Sequence, residues 1–163
     1  MAGASIRLDF NEQASAAYAR AQRLGEDLTP LNDSLGGLLV ASTQERFEVG
    51  TAPDGTKWAP SGAPQTLVGD GHLLDSISHV ADGHSVEWGS RRVYALIHQL
   101  GGVIKPKNAK ALKIPLPDGT FALVQSVTMP ARPYLGISDQ DASDIEAEIL
   151  DFINGCMGRM GSA

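Results

Sequence analysis

Histidine is the most versatile catalytic and metal-binding side chain, and this sequence contains four of them. His79 and His84 lie on the two arms of a predicted β-hairpin, where diagonal neighbours can share a metal ion. Neither the Cys-x-x-Cys nor the His-Glu-x-x-His spacing occurs to complete such a site. We therefore expect no metal site and no bound cofactor.

Other candidates for catalysis also lack the neighbours that their chemistry requires. Cys156 is the single cysteine, and no activating group adjoins it in the sequence. An acid pair such as Asp70 with Asp75 could act catalytically, but most such carboxylates are solvated. A small hydrolase around His72, His79 and Asp75 is a further alternative. His98 lies on an apolar stretch and is expected to be a hydrogen-bonded structural residue. No nucleophile elbow, phosphate loop or dinucleotide fingerprint occurs, so the sequence predicts no catalytic residues and no enzyme.

Positive charge is concentrated in one segment, although the formal net charge of −6 offers no broad attraction to DNA. No acidic residue occurs between Val103 and Pro117. Such a run is usually a solvated loop or strand face, and the alternative is a surface that contacts DNA or a protein partner. The lysines of this segment are Lys105, Lys107, Lys110 and Lys113.

The elements that must position these residues begin with a strand and two helices. Alternating apolar residues predict a strand over residues 5–10, and an alanine-rich stretch predicts a helix over 12–24. Pro30 marks a break, so a second helix is expected to begin near Asn32 or Asp33, whose side chains can cap it.

The second helix carries an apolar stripe and a glycine pair. Gly36 and Gly37 weaken it by about 1 kcal/mol each relative to alanine, and they permit close approach of another backbone. The predicted core face consists of Leu35, Leu38, Leu39, Ser42, Arg46 and Phe47.

The segment 50–71 is rich in proline and glycine and lacks periodicity. A turn is predicted at residues 53–56. Loops of this length inside a compact domain tend to be functional or disordered. Trp58 is its lone large side chain, and we expect it to contact a partner subunit.

Two hairpins and a short helix follow. The arms 75–81 and 84–88 flank Asp82-Gly83, which can adopt a type I′ turn. Residues 93–100 predict a short helix, and 110–127 predict a second hairpin that turns at 117–120. Because Pro115 cannot donate to a strand ladder, this arm is expected to be an edge strand or a projecting tongue.

The end of the chain is predicted to be a stiff segment, a helix and a flexible tail. Residues 129–136 contain two prolines and favour extended backbone. Ser138 caps a helix, followed by a frayed tail over 155–163. The apolar stripe of this helix is Ile145, Ile149, Phe152 and Ile153.

These elements predict a single α+β domain over residues 1–163, with helices packed on a small antiparallel sheet, a long loop and a projecting hairpin. Size and 42% hydrophobic content allow one folded core. No apolar run approaches the roughly 20 residues of a membrane helix. The first residues lack a secretory layout, so we expect folding in a cytoplasm and no membrane partner.

Six motifs occur in an order that resembles the phage virion morphogenesis family, the tail-completion proteins of Mu-like and related tailed phages. The resemblance covers about residues 30–153. The loop 61–71 departs from it by being short and glycine-rich. The motifs are Glu-Arg-Phe-Glu, Pro-Asp-Gly-Thr-Lys-Trp-Ala-Pro, His-Leu-Leu-Asp-Ser-Ile, Val-Glu-Trp-Gly-Ser, Tyr-Ala-Leu-Ile-His-Gln-Leu-Gly-Gly and Pro-Ala-Arg-Pro-Tyr-Leu-Gly-Ile-Ser.

The resemblance implies a structural virion protein, assembled in the host cytoplasm, that completes the tail and supports head–tail joining at the neck. It implies a homo-oligomeric ring, sixfold to match the tail. Tail tube, terminator and head connector proteins would be its neighbours, and DNA would pass through the lumen without specific binding. The alternatives are a tail terminator that caps the tube, a head-side connector or stopper, and a nucleic-acid-binding module that uses the Lys105–Lys113 hairpin.

Residues expected to define the fold or contact neighbours come from the loop, the short helix and the stiff segment. Trp58, Arg132 and Tyr134 are candidate interface residues together with the four lysines, and Tyr94 and His98 complete the set. A plain core role is the alternative for each of these aromatic, histidine and arginine residues.

Overall fold

The computed structural model describes residues 3–9, 16–25, 27–61, 66–69, 71–116 and 118–160. In these ranges helices and small antiparallel sheets alternate, which confirms the predicted α+β class. A 3-10 turn at Leu74–Ser76 leads into the second strand. The elements are β1 (Ala4–Asp9), α1 (Ala16–Arg23), α2 (Thr29–Val49), β2 (Ile77–Ala81), β3 (Ser85–Ser90), α3 (Ala95–Leu100), β4 (Gly102–Ile104), β5 (Leu112–Pro115), β6 (Phe121–Val124), β7 (Val127–Met129) and α4 (Asp139–Met160).

The main sheet has the antiparallel strand order β1-β3-β2. Trp88 at its centre pairs with Ile6 on one side and His79 on the other. Val86 and Trp88 are fully buried and Glu87 is exposed, as expected where alternate side chains point to opposite faces. Helix α2 packs on β2 and β3, so it covers the inner face of this sheet.

Helix α2 begins at Thr29, earlier than the predicted start at Asn32 or Asp33. Pro30 therefore does not break the chain but occupies the first helical turn, where no backbone N–H is needed. The Asp27 carboxylate accepts the Thr29 N–H at 2.9 Å. Asn32 is instead buried, and its Nδ2 donates to the carbonyl of Asp82 at 2.6 Å.

Four residues of the predicted apolar stripe of α2, Leu35, Leu39, Arg46 and Phe47, are buried, and Leu38 and Ser42 are half-buried. The two glycines of α2 have different surroundings. A Cβ at Gly36 would lie 2.2 Å from Cδ2 of His79, whereas a Cβ at Gly37 would meet nothing within 4 Å. The close approach at Gly36 is therefore made by the imidazole of β2 and not by another backbone.

The turn between β2 and β3 differs from the predicted type I′ turn. Neither Asp82 nor Gly83 has a positive φ. The Asp82 carboxylate accepts the backbone N–H groups of His84 and Ser85, each at 2.8 Å. A side-chain acceptor therefore stabilises this turn without the left-handed conformation that the Asp-Gly pair suggested.

Two clusters of buried side chains form the core. The larger joins α2, the main sheet, α3 and the segment before α4, and its largest fully buried side chains are Phe47, Trp88 and Tyr134. The smaller joins α1, α2 and α4 through residues such as Tyr18 and Ile149. Helix α2 contributes to both clusters.

Helix α4 follows its predicted stripe and continues to Met160, so residues 155–160 are not the predicted frayed tail. Cys156 is fully buried. It lies three residues after Ile153 and therefore continues the buried face of the helix. The predicted helix over 12–24 appears as α1 from Ala16, and residues 10–15 and 161–163 lie outside the described residues.

Among the described residues, none of the helices combines the length and apolar character needed to cross a membrane.

Candidate subunit interface

The second hairpin consists of β5 and β6, paired from Leu112 with Val124 to Pro115 with Phe121. At its base, β4 pairs with β7, a ladder that the sequence did not reveal because each strand has only three residues. Both ladders are two-stranded, so every strand in them has an open edge.

This pair of ladders, β4 to β7, lies outside the core of the molecule. Neither buried cluster includes a residue from these strands. Among the described helices and strands, β5 and β6 pack closely only on each other. Leu123 is 74% exposed and Phe121 is 55% exposed. A lone two-stranded hairpin is marginally stable in water, and exposed apolar groups mark interaction surfaces.

The lysines predicted as a contact surface lie on this hairpin and on the connection that leads into it. Lys105, Lys107 and Lys110 are exposed between β4 and β5, and Lys113 is exposed on β5 itself. The Lys113 ammonium lies 3.7 Å from the ring centroid of Phe121, a cation–π contact. The structure therefore brings positive charge and apolar surface together on one projecting element.

Trp58 has a different place from the one expected of a partner contact. Its side chain is buried in the larger cluster and its ring lies 5.6 Å edge-on from Phe47. Its indole Nε1 donates to the carbonyl of Pro133 at 2.8 Å. Because only 7% of its surface is exposed, Trp58 anchors the loop to the core and offers little surface to a neighbour.

Arg132 and Tyr134 are likewise buried in the protomer. Arg132 donates to the carbonyls of Ala59 and Pro60, at 2.8 and 3.1 Å. The Tyr134 hydroxyl donates to the carbonyl of Ala95 at 3.1 Å, and burial raises the pKa of Tyr134 to about 12. The two side chains thus tie the stiff segment to the loop and to α3.

Gln99 was not singled out from the sequence, yet it holds the same segment. Its Oε1 accepts the N–H groups of Tyr134 and Leu135, each at 3.0 Å, and its Nε2 donates to the carbonyl of Leu135 at 3.0 Å. An extended segment has no internal backbone bonds, so a side-chain amide that pairs with it fixes its position. The sequence signal was weak, since one glutamine in a short helix is ordinary.

A buried ion pair joins α2 to the start of α4. Arg46 pairs with Asp141 and also donates to the carbonyls of Tyr134 and Gly136, each at 3.0 Å. Ser138 caps α4 as predicted, because its hydroxyl accepts the Asp141 N–H at 3.1 Å and the Asp141 carboxylate accepts the Ser138 N–H at 2.7 Å.

The pKa of Asp141 reflects these contacts. Burial alone would raise it, but the hydrogen bonds from Ser138 and Ser42 and the charge of Arg46 lower the pKa below its ordinary value. The carboxylate therefore stays ionised inside the protein.

The histidines are dispersed. His79 lies 3.0 Å from the Asp33 carboxylate and pairs across the sheet with Trp88, away from His84 in the turn. Within the ranges that the structure describes, no group of three or more His, Cys, Asp or Glu residues could hold a metal ion. Asp70, one half of the suggested acid pair, lies outside the described residues.

His98 differs from its expectation. Its Nδ1 is buried and has no hydrogen-bond partner, so the prediction of a hydrogen-bonded histidine is wrong at this atom. Its ring meets Tyr94 edge-on at 6.0 Å. Burial, and secondarily the positive charge of Arg132, lower the pKa of His98. The imidazole is therefore held in its neutral form.

Comparison with known proteins gives a consistent result. The sequence profile of the phage virion morphogenesis family matches residues 9–154. The chain is 28% identical over 148 residues to Mu-like prophage FluMu G protein 2 of Haemophilus influenzae, covering 90% of this chain and 94% of that protein. No solved structure matches the chain significantly.

Proposed function

The chain belongs to the phage virion morphogenesis family, and from this premise we propose that it is a structural protein that completes the tail of a tailed bacteriophage and supports head–tail joining at the neck. Membership assigns it a role in building the virion. Beyond that role, we propose its position in the virion, its part in head–tail joining and its partners.

The observation that carries the proposal is the hairpin that projects from the core. Leu123 and Phe121 expose large apolar surfaces beside lysines, on strands with open edges. Such a surface is unfavourable in water and is typical of a contact that another protein covers. An assembly protein accounts for this arrangement, and the role requires no catalytic residue.

In this role the chain forms a homo-oligomeric ring, sixfold to match the tail, assembled in the host cytoplasm. Its neighbours are the tail tube or terminator on one side and a head connector protein on the other. DNA passes through the lumen without specific binding. The net charge of −6 favours passage over adhesion, because it repels the phosphate backbone.

The near alternatives are a tail terminator and a head-side connector or stopper. A nucleic-acid-binding module is the alternative of another class, and the four exposed lysines are the observation that favours it. It requires affinity for bare duplex DNA that falls steeply with added salt.

The test is the solution mass of the purified protein by light scattering, measured alone and with purified tail tubes. We expect a ring, or a monomer that forms a ring on tubes. In parallel, a phage that lacks the gene should release unjoined heads and tails, and the supplied protein should restore joining in electron micrographs. A protein that ignores tubes and does not restore joining contradicts the proposal, and binding to head connectors alone favours the connector alternative.

A further inference from the structure

An open cavity of about 530 Å³ lies between the C-terminal half of α2, the first turns of α4 and the loop that follows α2. Apolar side chains line much of it, among them Leu38, Val49 and Pro53. Val49, the last residue of α2, lines the groove and is 55% exposed. The groove thus offers uncovered apolar surface on the protomer.

The charge of this groove is negative. Arg46 contributes to its wall, but Asp141 neutralises that cation. Glu45 and Asp144 also line the groove, and neither makes an ion pair within the described ranges. The groove is therefore an apolar surface with carboxylates and no unmatched positive charge along its lining.

The β5–β6 hairpin has the complementary properties. It exposes Phe121 and Leu123, and it carries Lys113 with further lysines at its base. The groove and the hairpin share no residue, and among the described helices and strands neither α2 nor α4 packs closely on β5 or β6. The two surfaces are thus complementary in charge and are both apolar, and each is uncovered in the protomer.

We propose that the groove between α2 and α4 receives the β5–β6 hairpin of a second copy of this chain. The inference rests on the proposed assembly role and specifies its subunit contact. Ammonium groups of one copy meet the carboxylates of Glu45 and Asp144 of the next, and the apolar faces cover each other. Both exposed surfaces are then removed from water.

A second copy suits these surfaces better than other occupants. Pairing of two hairpins with each other would place lysines against lysines, which is unfavourable. Duplex DNA would satisfy the lysines but leave Phe121 and Leu123 uncovered. A hairpin-into-groove contact is heterologous, so a pair of subunits keeps one free hairpin and one free groove. Such contacts form a ring when the rotation between successive subunits closes.

The experiment uses two variants that can each make only half of the contact. In the hairpin variant, residues 112–124 are replaced by a short Gly-Ser linker, so that the groove remains. In the groove variant, Glu45→Arg and Asp144→Arg reverse the carboxylates, so that the hairpin remains. A matched control carries Glu146→Arg and Asp151→Arg, which change the same charge on exposed positions of α4 outside the groove.

Each of the two variants alone should stay monomeric. A mixture of the two should rise to the mass of a dimer in light scattering and stop there, because only one hairpin and one intact groove remain. Added salt should shift the mixture back toward monomer. The hairpin variant mixed with the control should also associate, since the groove of the hairpin variant and the hairpin of the control are both intact.

NMR spectra of the ¹⁵N-labelled hairpin variant at millimolar concentration would detect weak association. Addition of the groove variant should shift the amide resonances of residues that line the groove. No mass change and no shift overturn the inference, as does competition by duplex DNA for the hairpin. Circular dichroism checks that each variant is folded, and Glu45→Gln with Asp144→Asn replaces the reversal if it unfolds the chain. If these tests fail while the hairpin variant still restores head–tail joining, the inference fails and the proposed function stands. If the unaltered chain does not restore joining, the proposed function fails independently.

Discussion

Arg46 and Asp141 place two opposite charges inside the protein, with 5% and 2% of their surfaces exposed. Removing both ions from water is costly, and the ion pair offsets that cost only when hydrogen bonds satisfy the remaining polar atoms. The Ser138 N–H and the Ser42 hydroxyl donate to the carboxylate, and the carbonyls of Tyr134 and Gly136 accept from the guanidinium. The pair therefore ties α2, the stiff segment and α4 together at one point.

We predict that Asp141→Asn lowers the free energy of unfolding by about 3 to 5 kcal/mol, because it leaves the Arg46 guanidinium buried without its counter-charge. Urea unfolding measures the loss. Asp139→Asn, at an exposed position in the same helical turn, should cost less than about 1 kcal/mol. Equal effects of the two substitutions would show that the ion pair is not the cause.

The same residue has a pH signature. The folded-state pKa of Asp141 lies below 3.8, so its stabilising contribution is present above that value and is lost as pH falls through the folded pKa. The acid limb of the stability curve should therefore be shallower in Asp141→Asn than in the wild type.

His98 should affect the pH dependence of stability at higher pH than Asp141, because burial disfavours its charged form. Its folded pKa is lowered from 6.5, so the unfolded chain binds a proton first and the folded state loses stability as pH falls below that value. His98→Phe removes this titration and the unsatisfied Nδ1. Unfolding free energies measured between about pH 8 and pH 5 should fall less in this variant than in the wild type. The exposed His84→Gln serves as the control, and a slope unchanged by His98→Phe would contradict the prediction.

At the scale of the element, α2 shows why neighbouring glycines in one helix need not be equivalent. Gly36 faces the imidazole of His79, whose ring lies where a Cβ would be, while Gly37 faces open space. The His79 ring cannot simply withdraw, because its Nε2 lies 3.0 Å from the Asp33 carboxylate.

We therefore predict that Gly37→Ala stabilises the protein by up to about 1 kcal/mol through helix propensity alone. Gly36→Ala should destabilise it, because His79 must move and lose its contact with Asp33. Thermal unfolding of the two single variants measures the difference. If both alanines stabilise, the close packing of His79 on the helix does not constrain this position.

At the scale of the whole molecule, α2 is the element that joins the two buried clusters. Leu31 and Leu35 lie in the smaller cluster, and Leu39 and Phe47 lie in the larger. Ile145 of α4 packs against both. A helix shared in this way cannot unfold in one cluster and stay packed in the other.

We predict a single cooperative unfolding transition. Both tryptophans lie in the larger cluster, so their fluorescence reports its loss, whereas helical circular dichroism also reports α1 and α4 of the smaller cluster. The two signals should give the same midpoint and the same slope in urea. Separate midpoints would show that the clusters unfold independently.

The hairpin adds little to this cooperative unit. Its strands contribute no residue to either cluster, so the projecting element shares little buried apolar surface with the core. This division fits the proposed function, in which the core fixes the shape of the subunit and the hairpin contacts its neighbours.

Much of the local architecture was determined by the sequence itself. Period-two alternation predicted β1, and helical spacing predicted the buried stripes of α2 and α4, because these patterns depend only on which side chains must leave water. The Asp82-Gly83 pair predicted the β2–β3 hairpin, although the turn type differs from the predicted one. The Ser138 cap could also be predicted, since it needs only near neighbours in the chain. The order of the six motifs indicated the family to which the chain belongs.

Only the tertiary structure decided which conspicuous residues are buried and which are exposed. Trp58, Arg132 and Tyr134 lie in the core because distant carbonyls and rings enclose them, over separations in sequence that no local pattern encodes. The extension of α4 through Cys156 was likewise set by packing, since this side chain is fully buried. Burial depends on how the whole chain folds. For that reason the candidate interface is the lysine-bearing hairpin, and the buried Trp58, Arg132 and Tyr134 belong to the core of the protomer.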